Sequence, residues 1–175
     1  MHETSGPDYG DKRNFYAELE AQARALVAGE PDRIANAANL AALLFHALPR
    51  VNWAGFYFLQ GDELVLGPFQ GKPACVRIPV GRGVCGRAVA EQRSQLVADV
   101  HAFPGHIACD IVSRAEIVIP LKDRDGRIFG VLDIDSPEPG RFDPDDLAGL
   151  EAFARTLAGE RLTDAHVAAG YDFRQ

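Results

Sequence analysis

No stretch of this 175-residue chain approaches the roughly 20 consecutive apolar residues that a membrane-spanning helix needs. Its start, Met1 to Asp11, is polar and contains glycine and proline, without the apolar segment of a secretory signal. These absences point to a cytoplasmic protein with no membrane partner. Positive charge is also short: 18 Lys and Arg against 25 Asp and Glu leave a formal charge of −7, with the acids spread along the chain, which argues against nucleic acid as a partner. Cysteine is scarce. Three residues, an odd number, in a compartment that keeps thiols reduced argue against a structural disulfide framework and leave buried packing, metal or redox chemistry. There is no Cys-x-x-Cys pair, no internal repeat and no linker-like segment. What is present, 47% apolar residues, suffices for one core at this length and leaves no room for a second full domain.

Asn14 to Ala28 carries Phe15, Leu19 and Leu26 at helical offsets and stops at Gly29 and Pro31. Asp32 then caps a helix bearing Ile34, Ala37, Ala41, Leu44, Phe45 and Leu48, which must end at Pro49. Val51 to Leu59 is apolar on both alternating faces, as suits a strand covered on both sides, and Glu63 to Phe69 returns after the turn Gln60-Gly61-Asp62 as its hairpin partner. A short strand at Cys75 to Val80, a glycine-rich turn, a helix to about Gln92 and a short strand at Gln95 to Ala98 follow. From Asp99 to Ala115 periodicity fails, and Pro104-Gly105 marks a turn within a long loop. Glu116 to Leu121 and Ile128 to Asp135 are strands joined through Asp-Gly. The last helix has Asp143 as N-cap, Pro144 at its first position, and Leu147, Leu150, Ala154 and Leu157 on one face. The order predicts a layered α+β fold, a mostly antiparallel sheet with helices gathered against it.

Gly81-Arg82-Gly83-Val84-Cys85-Gly86 satisfies the GxGxxG pattern. Its neighbours read as hairpins rather than βαβ units and no strand-end acid follows about 20 residues on, so a tight strand-to-helix turn is the better reading and no cofactor is expected. That turn would put Cys85 near a helix N-terminus, where the dipole favours thiolate. His101, His106 and Cys109, with Cys75 and Cys85, make a conceivable zinc set, but their spacing matches no finger or ribbon, so no metal site is expected. Cys109 sits in PGHIACD, where a protonated His106 would lower its pKa and Asp110 would raise it. Asp133 and Asp135 alternate with Leu132 and Ile134, so both point to one face, where a pair of acids needs water, a cation or a ligand amine. Trp53 shares a face with Tyr57, as core or as the aromatic wall of a pocket.

Taken together, NWAGFYF (Asn52 to Phe58), LGPFQGKPAC (Leu66 to Cys75), GRGVCG (Gly81 to Gly86), PGHIACD (Pro104 to Asp110), EIVIPL (Glu116 to Leu121) and GVLDIDS (Gly130 to Ser136) resemble the free methionine-(R)-sulfoxide reductases, small GAF-domain enzymes. The resemblance runs from about Asn14 to Leu157. It implies a GAF-like six-stranded antiparallel sheet flanked by helices, with residues 1–12 a flexible start, 13–162 a single GAF domain and 163–175 a tail. It further implies that Cys109 is the nucleophile, Cys75 the preferred resolving thiol, and Cys85 a second resolving or relay thiol. Trp53, Tyr57, Glu116, Asp133 and Asp135 match positions that line the family's substrate pocket, with Glu116 or the aspartate pair as the acid. The implied reaction is thiol-dependent reduction of free L-methionine-(R)-S-oxide through a cysteine sulfenic acid and an intramolecular disulfide, recycled by thioredoxin. One departure is Ala115, where relatives often place a serine. A non-catalytic GAF module sensing a small molecule or redox state is the alternative. The amphipathic terminal helices fit a homodimer as well as intramolecular packing.

Overall fold

The computed structural model describes residues 9–105 and 111–158. The expectations for His106, Cys109, the 163–175 tail and most of the first twelve residues lie outside that range. Helix α1 (Lys12–Val27) starts where the Asp11 side chain accepts from the Asn14 amide, and α2 (Arg33–Ala47) where Asp32 accepts from Ala35 at 2.8 Å. Strands β1 (Trp53–Gln60), β2 (Glu63–Gly71) and β3 (Arg77–Pro79) follow, then α3 (Gly83–Glu91), β4 (Gln95–Val97), β5 (Ala115–Lys122), β6 (Ile128–Ser136) and α4 (Pro144–Ala158). The strands form one six-stranded sheet in the order β3-β2-β1-β6-β5-β4, every neighbour antiparallel. The two central strands, β1 and β6, are buried on both faces, which is why their sequences are apolar at consecutive positions.

Strand alternation divides the interior in two. Ala54, Phe56, Ile117, Ile119, Leu132 and Ile134 face α1, α2 and α4 and build the larger core with Leu19, Leu40, Leu44, Leu150 and Phe153. Trp53, Tyr57, Val118 and Val131 face the opposite side, where α3 contributes Val84, Cys85, Ala88 and Val89. The second side holds the candidate site.

Three expectations need correction. Leu26 and Ile34 are 44% and 55% exposed; the buried line of α1 is Phe15, Leu19, Ala23 and Val27, and that of α2 is Ala37, Leu40, Ala41 and Leu44. Helical spacing alone does not separate them, since a side chain seven residues on shares the face of the first; Leu26 lies in the last turn of α1, where Ala23 and Val27 and not Leu26 meet the core. The Asp99 to Ala115 stretch is not wholly irregular. Val100–Ala102 forms a 3₁₀ turn capped by Asp99, and the Val100 amide donates to the Arg114 carbonyl at 2.7 Å while Arg114 reaches Asp99 at 3.0 Å. The Cys75 to Val80 strand contracts to Arg77–Pro79, which leaves Cys75 in the connection from β2.

The glycine motif is structural. Gly81 and Gly83 have φ of +85° and +61°, a region open to glycine, and a Cβ on Gly86 would lie 2.3 Å from the Pro79 carbonyl oxygen. These requirements account for all three glycines as the turn that presses α3 onto the sheet.

Candidate active site

Glu116 of β5, Asp135 of β6 and Trp53 of β1 are register partners in a row across three strands, and Gly55, Asp133 and Val118 form the next row. Opposed residues of an antiparallel sheet project to the same face, so three carboxylates and an indole converge on the α3 side. Gly55 makes this geometry feasible. A Cβ there would lie 2.6 Å from the Trp53 ring and 2.3 Å from the Phe69 Cβ. Without that Cβ, Trp53 lies flat, stacked on Phe69 with centroids 5.3 Å apart and on Tyr57 at 5.9 Å. The indole is therefore both core, at 4% exposure, and cavity wall.

The cavity, partly open to solvent, offers about 30 Å³, with Trp53, Tyr57, Cys85, Glu116, Asp133 and Asp135 in its lining. That is room for about one water centre, as a polar site of this size would hold. One wall is the connection Lys72-Pro73-Ala74. Trp53 donates from Nε1 to the Lys72 carbonyl at 3.2 Å, and the Tyr57 hydroxyl donates to the Cys75 carbonyl at 3.0 Å, so the two aromatic rings hold this wall by its backbone. Cys75, at its end, is half-buried and disulfide-bonded, whereas Cys85 is a free, buried thiol.

Electrostatics in the cavity are dominated by burial. Desolvation and the neighbouring Asp133 and Asp135 charges push Glu116 well above the ordinary carboxylate range, and desolvation pushes Asp133 up to about 7, although the Cys85 thiol beside it pulls the other way. The Tyr57 phenol is raised by burial and by Asp133. Cys85 overturns the thiolate expectation: it does sit in the first turn of α3, but burial and the Asp133 and Glu116 carboxylates push its thiol well above the usual range. A helix N-terminus contributes about 0.3–1 kcal/mol, and that is outweighed by complete desolvation beside two acids. Its sulfur lies 3.9 Å from Glu116 Oε1.

Of the residues singled out in the sequence, Trp53, Tyr57, Cys85, Glu116, Asp133 and Asp135 meet at this cavity and Cys75 ends its wall. His101 does not join them; it is 61% exposed and pairs with Asp99 at 3.0 Å. Sequence reasoning missed Ser113 and the wall residues Lys72, Pro73 and Ala74. Ser113 lies in the aperiodic stretch before β5, is buried, and accepts from the Asn52 side chain at 3.0 Å. Nothing in its local pattern marks it. The Lys-Pro-Ala wall had a signal, because it lies between a strand that ends in glycine and a cysteine.

The GAF-domain family profile matches residues 30–160. A free methionine-R-sulfoxide reductase of Escherichia coli is 56% identical over 147 residues, covering 84% of this chain and 88% of that protein. The chain belongs to the free methionine-R-sulfoxide reductase family. A solved free methionine-R-sulfoxide reductase of Neisseria meningitidis, in complex with its substrate, superposes with a TM-score of 0.83 at 46% identity, over 90% of this chain and 94% of that one. A Burkholderia vietnamiensis structure described as a putative GAF sensor protein gives 0.84 at 57% identity, over 89% and 99%. The six-stranded antiparallel GAF sheet of the free methionine-R-sulfoxide reductases is thus the fold found here. Ala115, where the resemblance predicts a serine, is fully buried in the helix-side core, on the opposite face from Glu116, so a hydroxyl at that position would lie away from the cavity.

Proposed function

We propose that this protein reduces free L-methionine-(R)-S-oxide to L-methionine with its own thiols. The observation that carries the reading is the convergence of Glu116, Asp133, Asp135, Trp53 and Tyr57 on one cavity whose wall runs directly into Cys75. A sulfoxide sulfur becomes electrophilic when its oxygen is protonated or strongly hydrogen-bonded, and burial with the neighbouring aspartates pushes Glu116 well above the carboxylate range, toward the acid form that donates such a bond, with Asp133 pushed up to about 7 beside it. In this reading Asp135, less buried than Asp133, meets the ammonium of a free amino acid, and Trp53 packs on the methylthio end.

Cys109 is the nucleophile in this proposal, a role carried over from the family. Its thiolate attacks the sulfur and the sulfoxide oxygen ends on Cys109: Cys109–SH plus R₂S=O gives Cys109–SOH plus R₂S. The sulfenic acid condenses with the Cys75 thiol, forming a disulfide and releasing water, and an external dithiol of the thioredoxin class then reduces it by exchange. Two facts support Cys75 over Cys85 as the resolving thiol. Cys75 is disulfide-bonded, and Cys85 is free with its thiol held protonated by burial. Cys85 then serves at most as a relay. A cytoplasmic setting, residues 13–162 as the catalytic unit and a homodimer through the terminal helices belong to the same proposal.

A coupled NADPH assay with thioredoxin and its reductase tests it. Free methionine-(R)-sulfoxide should be consumed, with little turnover of the S epimer or of protein-bound sulfoxide, since a residue within a chain lacks the ammonium that the acids recognise. Cys109→Ser should abolish turnover with the fold intact. Equal turnover of protein-bound sulfoxide would overturn the substrate assignment.

A further inference from the structure

We propose that Cys85, Glu116 and Asp133 form a zinc site at the floor of the substrate cavity, and that zinc held there competes with the sulfoxide. The three side chains come from α3, β5 and β6, three elements packed on one another, and they offer one ligand atom each within 4.8 Å of the others. The Cys85 sulfur stands 3.9 Å from Glu116 Oε1. In tetrahedral zinc, Zn–S of about 2.3 Å and Zn–O of about 2.0–2.2 Å put ligand atoms roughly 3.3–3.6 Å apart, so the trio closes on an ion by side-chain movements of about 1 Å or less.

A second observation points to a ligand. Asp133 is 7% exposed, yet its Oδ1 accepts no hydrogen bond among the described residues, a costly condition for a buried carboxyl oxygen. A cation beside it satisfies that oxygen. Cys85 and Glu116 are buried to a similar degree, at 3% and 6% exposure, so the ion would lie out of bulk water, with its fourth position facing the cavity. Three protein ligands with an open fourth position is the pattern of an accessible zinc centre, and the thiolate favours a borderline-soft ion over magnesium or calcium, which take six or more oxygens. This set shares only Cys85 with the histidine-containing one weighed from the sequence. Zinc would occupy the two acids assigned above to the sulfoxide oxygen; that consequence rests on the proposed function, whereas metal binding itself does not.

Cobalt(II), a spectroscopic substitute for zinc, tests the site in the full-length protein in its disulfide form, where Cys85 is free. One equivalent should produce a near-ultraviolet sulfur-to-cobalt charge-transfer band with intense visible bands of tetrahedral geometry, bleached by one equivalent of zinc. Cys85→Ser should remove the charge-transfer band, and Glu116→Gln and Asp133→Asn should each weaken binding at least 10-fold, with far-ultraviolet circular dichroism confirming the fold. Should Cys85→Ser not fold, Glu116→Gln, which retains thiol and shape, decides the matter. Absence of the band in the wild-type protein, or a band unchanged by Glu116→Gln or surviving Cys85→Ser, overturns the site. In the dithiol-coupled assay, zinc should raise KM for the sulfoxide without lowering kcat. A protein that binds cobalt as described but reduces no sulfoxide would leave the metal site standing and defeat the reductase reading instead.

Discussion

Gly55 shows how one missing methyl group shapes the cavity, because a Cβ at that position would sit inside the contact radii of both Trp53 and Phe69. Gly55→Ala should therefore destabilise the protein by about 1–3 kcal/mol, read from the urea midpoint, and raise KM by displacing the indole. Glu116→Gln tests the acid itself. A positioned general acid contributes about 10²–10⁴-fold, so kcat/KM should fall by at least about 10²-fold while thermal stability stays near wild type or rises, since a buried titrating carboxyl has been replaced by a neutral amide. Most of these residues were legible from sequence alone. Alternation put Asp133 and Asp135 on one face, and the family motifs marked Trp53, Tyr57 and Glu116. Ser113 was not, because an aperiodic segment carries no face, and only the Asn52 contact across the β1 entrance draws it in.

At the scale of elements, the closing helix is joined to the first one by a charge cluster that no periodicity announces. Asp146, wholly buried in α4, accepts from Tyr9 at 2.5 Å, Tyr16 at 2.7 Å and Lys12 at 2.8 Å, and Arg141 approaches it at 3.3 Å. Burial pushes its carboxyl up, but the Lys12, Tyr9 and Tyr16 hydrogen bonds outweigh that and hold it below the ordinary aspartate range. A folded-state pKa below the unfolded one means that the unfolded chain binds more protons between the two values. This contribution is therefore fully present above about pH 4 and is lost as pH falls through the folded value. Asp146→Asn should lower stability at neutral pH and flatten the acid limb below pH 4 in a pH series of urea melts. Asp146→Ala should cost about 3–5 kcal/mol, because it strands the fully buried Arg141 guanidinium. The cap is a lesser matter. Asp143 accepts from the Asp145 and Asp146 amides at 2.9 and 3.0 Å, as the Asp-Pro start predicted, and Asp143→Ala should cost about 1 kcal/mol plus its Lys12 ion pair.

For the whole molecule, the sheet separates stability from chemistry. Three helices seal one face with an apolar core, and the other face carries the acids and the free thiol under α3. One wall of the cavity, Lys72 to Cys75, is held by the Trp53 and Tyr57 hydrogen bonds and ends at the disulfide-bonded Cys75, so its freedom depends on the state of that bond. We expect the dithiol form to bind methionine sulfoxide measurably by isothermal titration calorimetry and the disulfide form to bind it at least 10-fold more weakly. Equal affinity would mean that the wall opens without reduction.

The sequence by itself determined the element order, the antiparallel α+β class, the helix caps and the same-face acid pair, because these depend on local periodicity and on residues a few positions apart. Tertiary structure decided which faces are buried, as the exposure of Leu26 and Ile34 shows, and it decided the state of Cys85. A helix N-terminus read locally favours a thiolate there. Burial against Glu116 and Asp133, residues 31 and 48 positions away, reverses that preference, because desolvation and like charge act through space and not along the chain.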